Sequence, residues 1–408
     1  MKCGLLGRKL SHSYSPQIHA YLGSYSYNLY EKEPEEIGTF LKTAPFTGLN
    51  VTIPYKKSVI PFCENLSEAA KKLGAVNTII RQPDGSLIGH NTDYYGFLST
   101  LNKTGLSVAK KKVLVLGSGG ASVTAVSVLT ELGANVITIS RTGENNYNNL
   151  DRHVDTSLIV NATPVGMYPN TNESPVSLDC FPVLEGVIDM IYNPARTGLL
   201  QQAEDRKLVS ENGLWMLIAQ AKESAQWFSG NEIPAETIPY IYKKLNINMQ
   251  NLILIGMPGS GKTTVGKILA SLTGREFIDA DIYLETHANM SIPQIFSKYG
   301  ENYFRQLETQ CLSELGKLSG KIIATGGGCV TRRENYPFLH QNGTLIWLKR
   351  DITSLATEGR PLSQTGKLAN MYQIRKPLYE AFSDFSVENQ NDPNKTAMQI
   401  LSNLQMEV

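Results

Sequence analysis

NMQNLILIGMPGSGKTTVGKILA, residues 248–270, runs from a short apolar segment through a glycine-rich turn into a helix-length segment. Within it GMPGSGKT (256–263) fits the phosphate-loop pattern G-x-x-x-x-G-K-[ST] in full. Gly256, Gly259 and Gly261 let the backbone fold so that its N–H groups face an anion at a helix N-terminus. Ser260 and Thr264 complete the loop residues expected against a nucleotide. In this pattern Lys262 reaches the β- and γ-phosphates and the Thr263 hydroxyl ligates Mg²⁺, so ATP with Mg²⁺ is the expected ligand. A solvated lysine on an ordinary glycine turn is the competing account. The apolar run before the turn and the helical run after it count against that account.

The stretch lies past the middle of a 408-residue chain, a length that accommodates two or three domains. Hydrophobic residues make up 41% and charged residues 18%, which is ordinary globular usage. With 38 basic against 37 acidic side chains the net charge is +1. No general affinity for nucleic acid or for a membrane surface is expected from that balance. The five cysteines (Cys3, Cys63, Cys180, Cys311, Cys329) are scattered and form no CxxC pair, which favours a reducing compartment. MKCGLLGRKLSHS becomes polar too early for a signal peptide, and no apolar run reaches the ~18 residues of a membrane span. A cytoplasmic protein is the resulting expectation. The oligomeric state is not legible.

Strand-like runs alternate with helix-length segments almost throughout: KKVLVLG, NVITIS, SLIVNAT, GVIDMIY, then NLILIG, KIIATGGG and TLIWLKR. That alternation predicts βαβ units and parallel sheets, an α/β protein. YKKLNINMQN (242–251) reads as a junction, which places the main boundary near residue 247.

Downstream of the phosphate loop, FIDADIYLE (277–285) puts Asp279 and Asp281 at the end of an expected strand, pointing to one side. YGENYFRQLE (299–308) supplies Arg305, and ATGGGCV (324–330) supplies Gly326, Gly327 and Gly328, where backbone can lie close to a ligand. EGRPLSQTGKL (358–368) suits a lid and contains Arg360; IRKPLYEAF (374–382) supplies Arg375. Taken singly, each has an ordinary explanation as a cap or surface residue. Together, two arginines and a carboxylate beside a phosphate loop indicate an acceptor carrying a carboxylate and a hydroxyl.

This set resembles shikimate kinase over essentially all of 250–390. The resemblance implies that Lys262 and Thr263 are the loop lysine and metal-binding threonine. It places Asp279 near the metal and Asp281 on the reacting hydroxyls, with Lys262, Asp281 and Arg360 catalytic. Arg305 and Arg375 would clamp the substrate carboxylate beside Gly326, Gly327 and Gly328. One departure stands out: TSLATEGRPL is short and lacks the additional basic residues often found ahead of the lid arginine.

Upstream, KKVLVLGSGGASVTAVSVL reads as strand, glycine turn and helix, with Gly117, Gly119, Gly120 and Ala121 in the turn. Alone it is a weak dinucleotide signal. At the end of the next strand, Ser140, Arg141 and Thr142 stand where an NAD site would carry an acidic residue, which favours NADP. GLNVTIPYKKSV and GHNTDYYGF offer Lys56 and Asp93; converging on a carbonyl oxygen, they could donate the proton that accompanies hydride transfer.

SHSYSPQIH, NVTIPYK, GAVNTI and GHNTDYYG, followed by NATPVGM, DMIYNPARTGLL and NGLWMLIAQA, together resemble shikimate dehydrogenase across residues 1–240. The resemblance implies that Lys56 and Asp93 are the catalytic pair. Ser13 and Ser15 would bind the substrate carboxylate, and Thr52, Asn77, Asp93 and Gln220 the ring hydroxyls, with Tyr192 nearby. Gly213 would lie against the cofactor. Two departures accompany it: Ser140 replaces a usual asparagine, and Trp215 replaces a glycine common near the nicotinamide. An indole there could stack on a ring, alter substrate choice or obstruct the site.

The expected architecture is therefore a shikimate-dehydrogenase-like substrate domain (1–100, completed by about 212–245) and a Rossmann NADP domain (101–211). A phosphate-loop kinase domain with a parallel sheet (248–408) follows. Both resemblances point to one metabolite: 3-dehydroshikimate reduced to shikimate with NADPH, then phosphorylated by Mg-ATP. The alternatives are a single catalytic half with the other a binding or regulatory module, or dual quinate and shikimate use in the first half.

Overall fold

Pro83 and Gly85 decide how the N-terminal sheet is built. A computed structural model describes residues 1–10, 13–355, 367–390 and 392–406. It divides into two compact units: Met1–Gly166, Glu173–Tyr192 and Leu199–Lys244 in the first, and Met167–Asn172, Asn193–Gly198 and Leu245–Val408 in the second.

The first unit opens with β1 (Lys2–Gly7), β2 (Ser26–Glu31), β3 (Gly48–Val51), β4 (Asn65–Leu66), β5 (Thr78–Arg81) and β6 (Leu87–His90). They form a sheet in the order β2-β1-β3-β5-β6-β4. Parallel pairing was expected almost throughout, but β5 is antiparallel to both β3 and β6. The cause is local. Pro83 follows Gln82 in a turn closed by Gly85 N–H donating to Gln82 O at 2.9 Å, with Gly85 at φ 90°. Proline at the second and glycine at the fourth turn position return the chain at once.

A second sheet holds β7 (Lys112–Leu116), β8 (Asn135–Ile139), β9 (Leu158–Asn161), β10 (Gly186–Asp189) and β11 (Val209–Glu211), in the order β11-β10-β9-β7-β8. Every pair is parallel. Its strands are apolar on both faces, as Val113, Leu114, Val115 and Leu116 are all fully buried, because helices cover both sides. The helix Gly213–Ser229 then returns to the first sheet, started by Asn212 Oδ1 accepting from Leu214 N–H at 3.0 Å.

The junction YKKLNINMQN is helical as far as Met249 and enters β12 at Asn251. Ile238, Ile241, Leu245 and Met249 recur at helical spacing and are buried along the helix Thr237–Met249. The second unit then forms this β12 (Asn251–Ile255), β13 (Phe277–Asp279), β14 (Ile322–Ala324), β15 (Gly343–Lys349) and β16 (Phe385–Glu388). This sheet is parallel throughout, in the order β13-β14-β12-β15-β16. Its core contains Trp347, stacked on Tyr379 with centroids 5.6 Å apart. No helix among the described residues is long and apolar enough to cross a membrane, and the five cysteines are free.

Candidate active sites

In the first unit a cleft of about 960 Å³ is lined from both sheets. Ser13, Ser15, Thr52, Lys56, Asn77, Asp93, Tyr192 and Gln220 all face it, together with Gly119, Gly120, Ala121 and Gly213. Lys56 sits in the turn after β3. Asp93 opens the helix Asp93–Thr104, its N–H held by Asn91 Oδ1 at 3.0 Å. Lys56 Nζ donates to Asp93 Oδ2 at 2.5 Å, with the side chains 31% and 18% exposed toward the cleft. A cation and carboxylate so placed can share a proton with a bound oxygen.

Behind this pair lies a buried polar network that sequence reading missed in part. Asn77 Oδ1 accepts from Thr92 N–H at 2.8 Å, and the Thr92 hydroxyl donates to Gln220 Oε1 at 3.3 Å. Asn50 Nδ2 donates to Ser224 Oγ at 2.8 Å and Thr78 Oγ1 at 3.1 Å, and Asn50 Oδ1 accepts from Tyr27 at 2.8 Å. Ser224 Oγ also lies 3.1 Å from Thr92 Oγ1. His19 stacks on Tyr27 at 4.0 Å, and burial pushes its imidazole down to about 3, so it stays neutral. Asn50, Asn91 and Thr92 lie inside motifs already quoted. Ser224 carried no signal, because its partners are separated from it by up to 174 residues.

The dinucleotide side of the cleft is glycine-made. Gly117 has φ 106°, and a β-carbon there would press on the Ala162 carbonyl. Gly119 and Gly120 have nothing within 4 Å of where a β-carbon would be, which leaves room for a pyrophosphate at the N-terminus of the helix Gly120–Glu131. Ser140, Arg141 and Thr142 follow β8 away from the cleft lining; Arg141 and Thr142 are exposed and Ser140 is half-buried. Gly213 is packed so closely that a β-carbon would strike the Met190 carbonyl. Trp215 does not enter the cleft. Its Nε1 donates to Ser99 Oγ at 3.0 Å, and its ring lies 5.5 Å from Tyr242 with the Lys103 ammonium over it at 4.6 Å. None of the three roles raised for the indole fits that position.

In the second unit the phosphate loop joins β12 to the helix Lys262–Thr273, with Gly256, Gly259 and Gly261 at φ 146°, 84° and 92°. Lys262 Nζ donates to the carbonyls of Gly256 and Met257 at 2.9 and 3.0 Å. Thr263 Oγ1 donates to Asp279 Oδ2 at 2.9 Å. Asp279 ends β13 and caps the helix Ala280–Ala288, its Oδ1 accepting from Asp281 N–H at 3.1 Å. Asp281 is thus helical, not on the strand: the cap, rather than strand alternation, brings the two carboxylates together. Burial, then the charges of Asp279 and Glu308, push the Asp281 carboxyl up to about 6, with Lys262 opposing. Among the described residues no three His, Cys, Asp or Glu side chains form a metal cage. Mg²⁺ held largely by phosphates and water needs no such cage, and Thr263 with Asp279 fits it.

Arg305 is buried in the helix Ile292–Gly316, where it pairs with Glu308 at 2.7 Å and Glu301 at 3.3 Å. Glu308, three residues on along the same helix, was not singled out from sequence. Its Oε1 lacks a hydrogen-bond partner among the described residues. The glycine triplet fits because it has no side chains: β-carbons on Gly326, Gly327 and Gly328 would meet Asp281 and Glu308, the Pro258 ring, and the Arg305 guanidinium respectively. Arg375 Nη1 donates to Gly327 O at 3.1 Å, and Tyr379 donates to the same oxygen at 2.5 Å. The two arginines, the triplet and Asp281 therefore surround one small volume. Ser260 and Thr264 lie in the loop and its following helix; Arg360 lies outside the described residues.

A parallel sheet with an open glycine turn, facing a polar substrate sheet across a cleft, defines a dinucleotide-dependent oxidoreductase. A phosphate loop facing paired aspartates and arginines defines a phosphoryl transferase. A family profile described as shikimate dehydrogenase substrate binding domain matches residues 5–79, and one described as shikimate kinase matches 258–405. The NADP(+) shikimate dehydrogenase of Clostridium beijerinckii is 37% identical over 238 residues, 53% of this chain and 88% of that relative. Among solved structures, a chorismate mutase/shikimate 5-dehydrogenase fusion from Clostridium acetobutylicum aligns with TM-score 0.57 and 34% identity, over 60% of this chain and 96% of that one. Shikimate 5-dehydrogenase from Thermus thermophilus, in complex with NADP(H) and shikimate, aligns with TM-score 0.55 and 29% identity, over 60% and 99%. The chain belongs to the shikimate dehydrogenase family and carries a shikimate kinase domain behind it.

Proposed function

We propose that the protein catalyses two successive reactions: NADPH-dependent reduction of 3-dehydroshikimate to shikimate, and phosphorylation of shikimate at its 3-hydroxyl by Mg-ATP. The observation that carries the first is the Lys56–Asp93 pair facing a cleft with open glycines on one wall and Ser13 and Ser15 on the other. When bound, the nicotinamide supplies hydride to the carbonyl carbon. Lys56 gives the carbonyl oxygen its proton, and Asp93 holds the ammonium and a ring hydroxyl. Ser13 and Ser15 bind the carboxylate; Thr52, Asn77 and Gln220 fix the ring, with Tyr192 at its edge. Arg141, with the hydroxyls of Ser140 and Thr142, recognises the 2′-phosphate.

In the second unit Arg305 and Arg375 hold the same product's carboxylate, and Asp281 accepts the proton of the attacking hydroxyl. Lys262 and Arg360 offset charge on the transferring phosphoryl group, where Mg²⁺ contributes charge neutralisation when present. The reading of the first half as a mere binding module loses its chief support, since Trp215 faces away from the cleft.

The test supplies the full chain with 3-dehydroshikimate, NADPH and Mg-ATP and follows both products. Shikimate 3-phosphate is the expected end product; shikimate alone, however long the incubation, refutes the two-step reading. Lys56→Ala should lose roughly 10²–10⁴-fold in NADPH oxidation yet phosphorylate added shikimate normally, and Lys262→Ala should do the reverse.

A further inference from the structure

A nucleoside triphosphate brings several negative charges to the phosphate loop, and the sheet places a further cation beside that loop. β12 and β15 pair side by side, Ile255 opposite Trp347, so the chain leaves β15 where the phosphate loop leaves β12. The second residue past Leu348 is Arg350.

Its guanidinium lies beside the loop: Nη1 is 4.0 Å from the point a β-carbon on Gly261 would occupy. Gly261 is the residue on which the helix Lys262–Thr273 begins. Asn389 stands at the same point, but its polar atoms are engaged, Nδ2 donating to Ser260 O at 2.6 Å and Oδ1 accepting from Thr396 at 3.0 Å. Lys349, the neighbouring cation, is turned over the Trp347 ring at 4.6 Å. Arg350 is different. Its Nε is buried without a hydrogen-bond partner, and among the described residues its guanidinium makes no hydrogen bond or ion pair. A half-buried cation held beside an anion-binding helix start, with its donors unspent, is arranged for an anion.

We propose that Arg350 is a nucleotide-binding residue of the second unit, donating to phosphate oxygens of the nucleotide from beside Gly261. It supplies positive charge from the end of β15, beside the start of the phosphate-loop helix. The nucleotide's identity rests on the kinase reading above; the contact itself can be tested without turnover.

Mg-ADP and, separately, shikimate are titrated calorimetrically into the full chain as wild type, Arg350→Met and Arg350→Lys. The methionine variant should bind Mg-ADP roughly 10- to 100-fold more weakly, the scale of a lost hydrogen bond to a charged group. The lysine variant, which keeps the charge and loses the fork, should fall between. Shikimate affinity should stay within about twofold, which a general disturbance of the fold would not allow. In turnover, the KM for ATP should rise and the KM for shikimate should not. Unchanged Mg-ADP affinity in Arg350→Met overturns the assignment, as does an equal loss of shikimate binding or a wild type that binds no Mg-ADP. A wild type that binds Mg-ADP but never phosphorylates shikimate refutes the kinase reading alone, and the same titrations still decide the role of Arg350.

Discussion

Replacing Asp281 by asparagine should strengthen the second unit while ending its phosphoryl transfer. The native carboxyl is pushed from an ordinary 3.8 to about 6 by burial and by Asp279 and Glu308. A raised carboxylate favours the fold in its protonated form. Its contribution is therefore fully present below the unfolded value near 3.8 and is lost as pH climbs through about 6. At about 1.36 kcal/mol for each pH unit between those values, the penalty at pH 7.5 is on the order of 3 kcal/mol. By about pH 5 roughly half of it has gone. Asparagine keeps the shape, removes the charge and escapes the penalty. The chain has three tryptophans, and Trp347 alone lies in the second unit's core, so a Trp215→Phe/Trp227→Phe background gives fluorescence that reports that unit. Urea unfolding in this background should show the Asp281→Asn variant shifted up by roughly 1–2 M at pH 7.5, and by about half that near pH 5. Equal stability at pH 7.5, or a gain that does not shrink with acid, would refute the charge-crowding argument. Loss of shikimate phosphorylation in the same protein shows that the strained carboxylate is the working one.

Ser224→Ala should cost about 1–3 kcal/mol in the first unit by leaving the Asn50 amide short of an acceptor, measured by unfolding followed through Trp227. Trp215→Phe should leave kcat/KM for 3-dehydroshikimate within about twofold, because the indole faces Ser99, and cost about 1 kcal/mol of stability for the lost bond. A tenfold change in either direction would return the indole to the cleft. Gly328→Ala should displace the Arg305 guanidinium and raise the KM for shikimate about tenfold with the KM for ATP unchanged, as steady-state kinetics would show.

Much of this was legible in the sequence where the chemistry is local. The phosphate loop, the β7 turn and the strands of both parallel sheets follow from contiguous residues whose pattern has one structural meaning. Lys56 and Asp93 were nameable because each sits in a distinctive motif. What failed to read were relations across distance or around a corner. Asp281 was placed on a strand because alternation was assumed to continue past Asp279, where a helix cap takes over. Trp215 was a concern because it replaces a glycine common near the nicotinamide, yet two helical positions past Gly213 turn a side chain by about 200°. Glu308 and Ser224 are ordinary residues whose importance comes from what the fold places opposite them. The junction at 242–251 marked a boundary, and Leu245 and Met249 within it continue the apolar stripe of the helix that leads into it.

The pairing of Asn50, Thr78 and Thr92 with Ser224 sets an order on synthesis. A ribosome delivers Asn50, Thr78 and Thr92 more than a hundred residues before it delivers the helix Gly213–Ser229 that carries Ser224. Until residue 224 has emerged, those groups lack the hydroxyl that joins all three, and the substrate cleft lacks the wall that Gln220 provides. In the second unit the phosphate loop, aspartates, arginines and glycine triplet all emerge after β12. A nascent chain arrested near residue 200 should therefore be protease-sensitive in its first hundred residues, and extension past Ser229 should protect them.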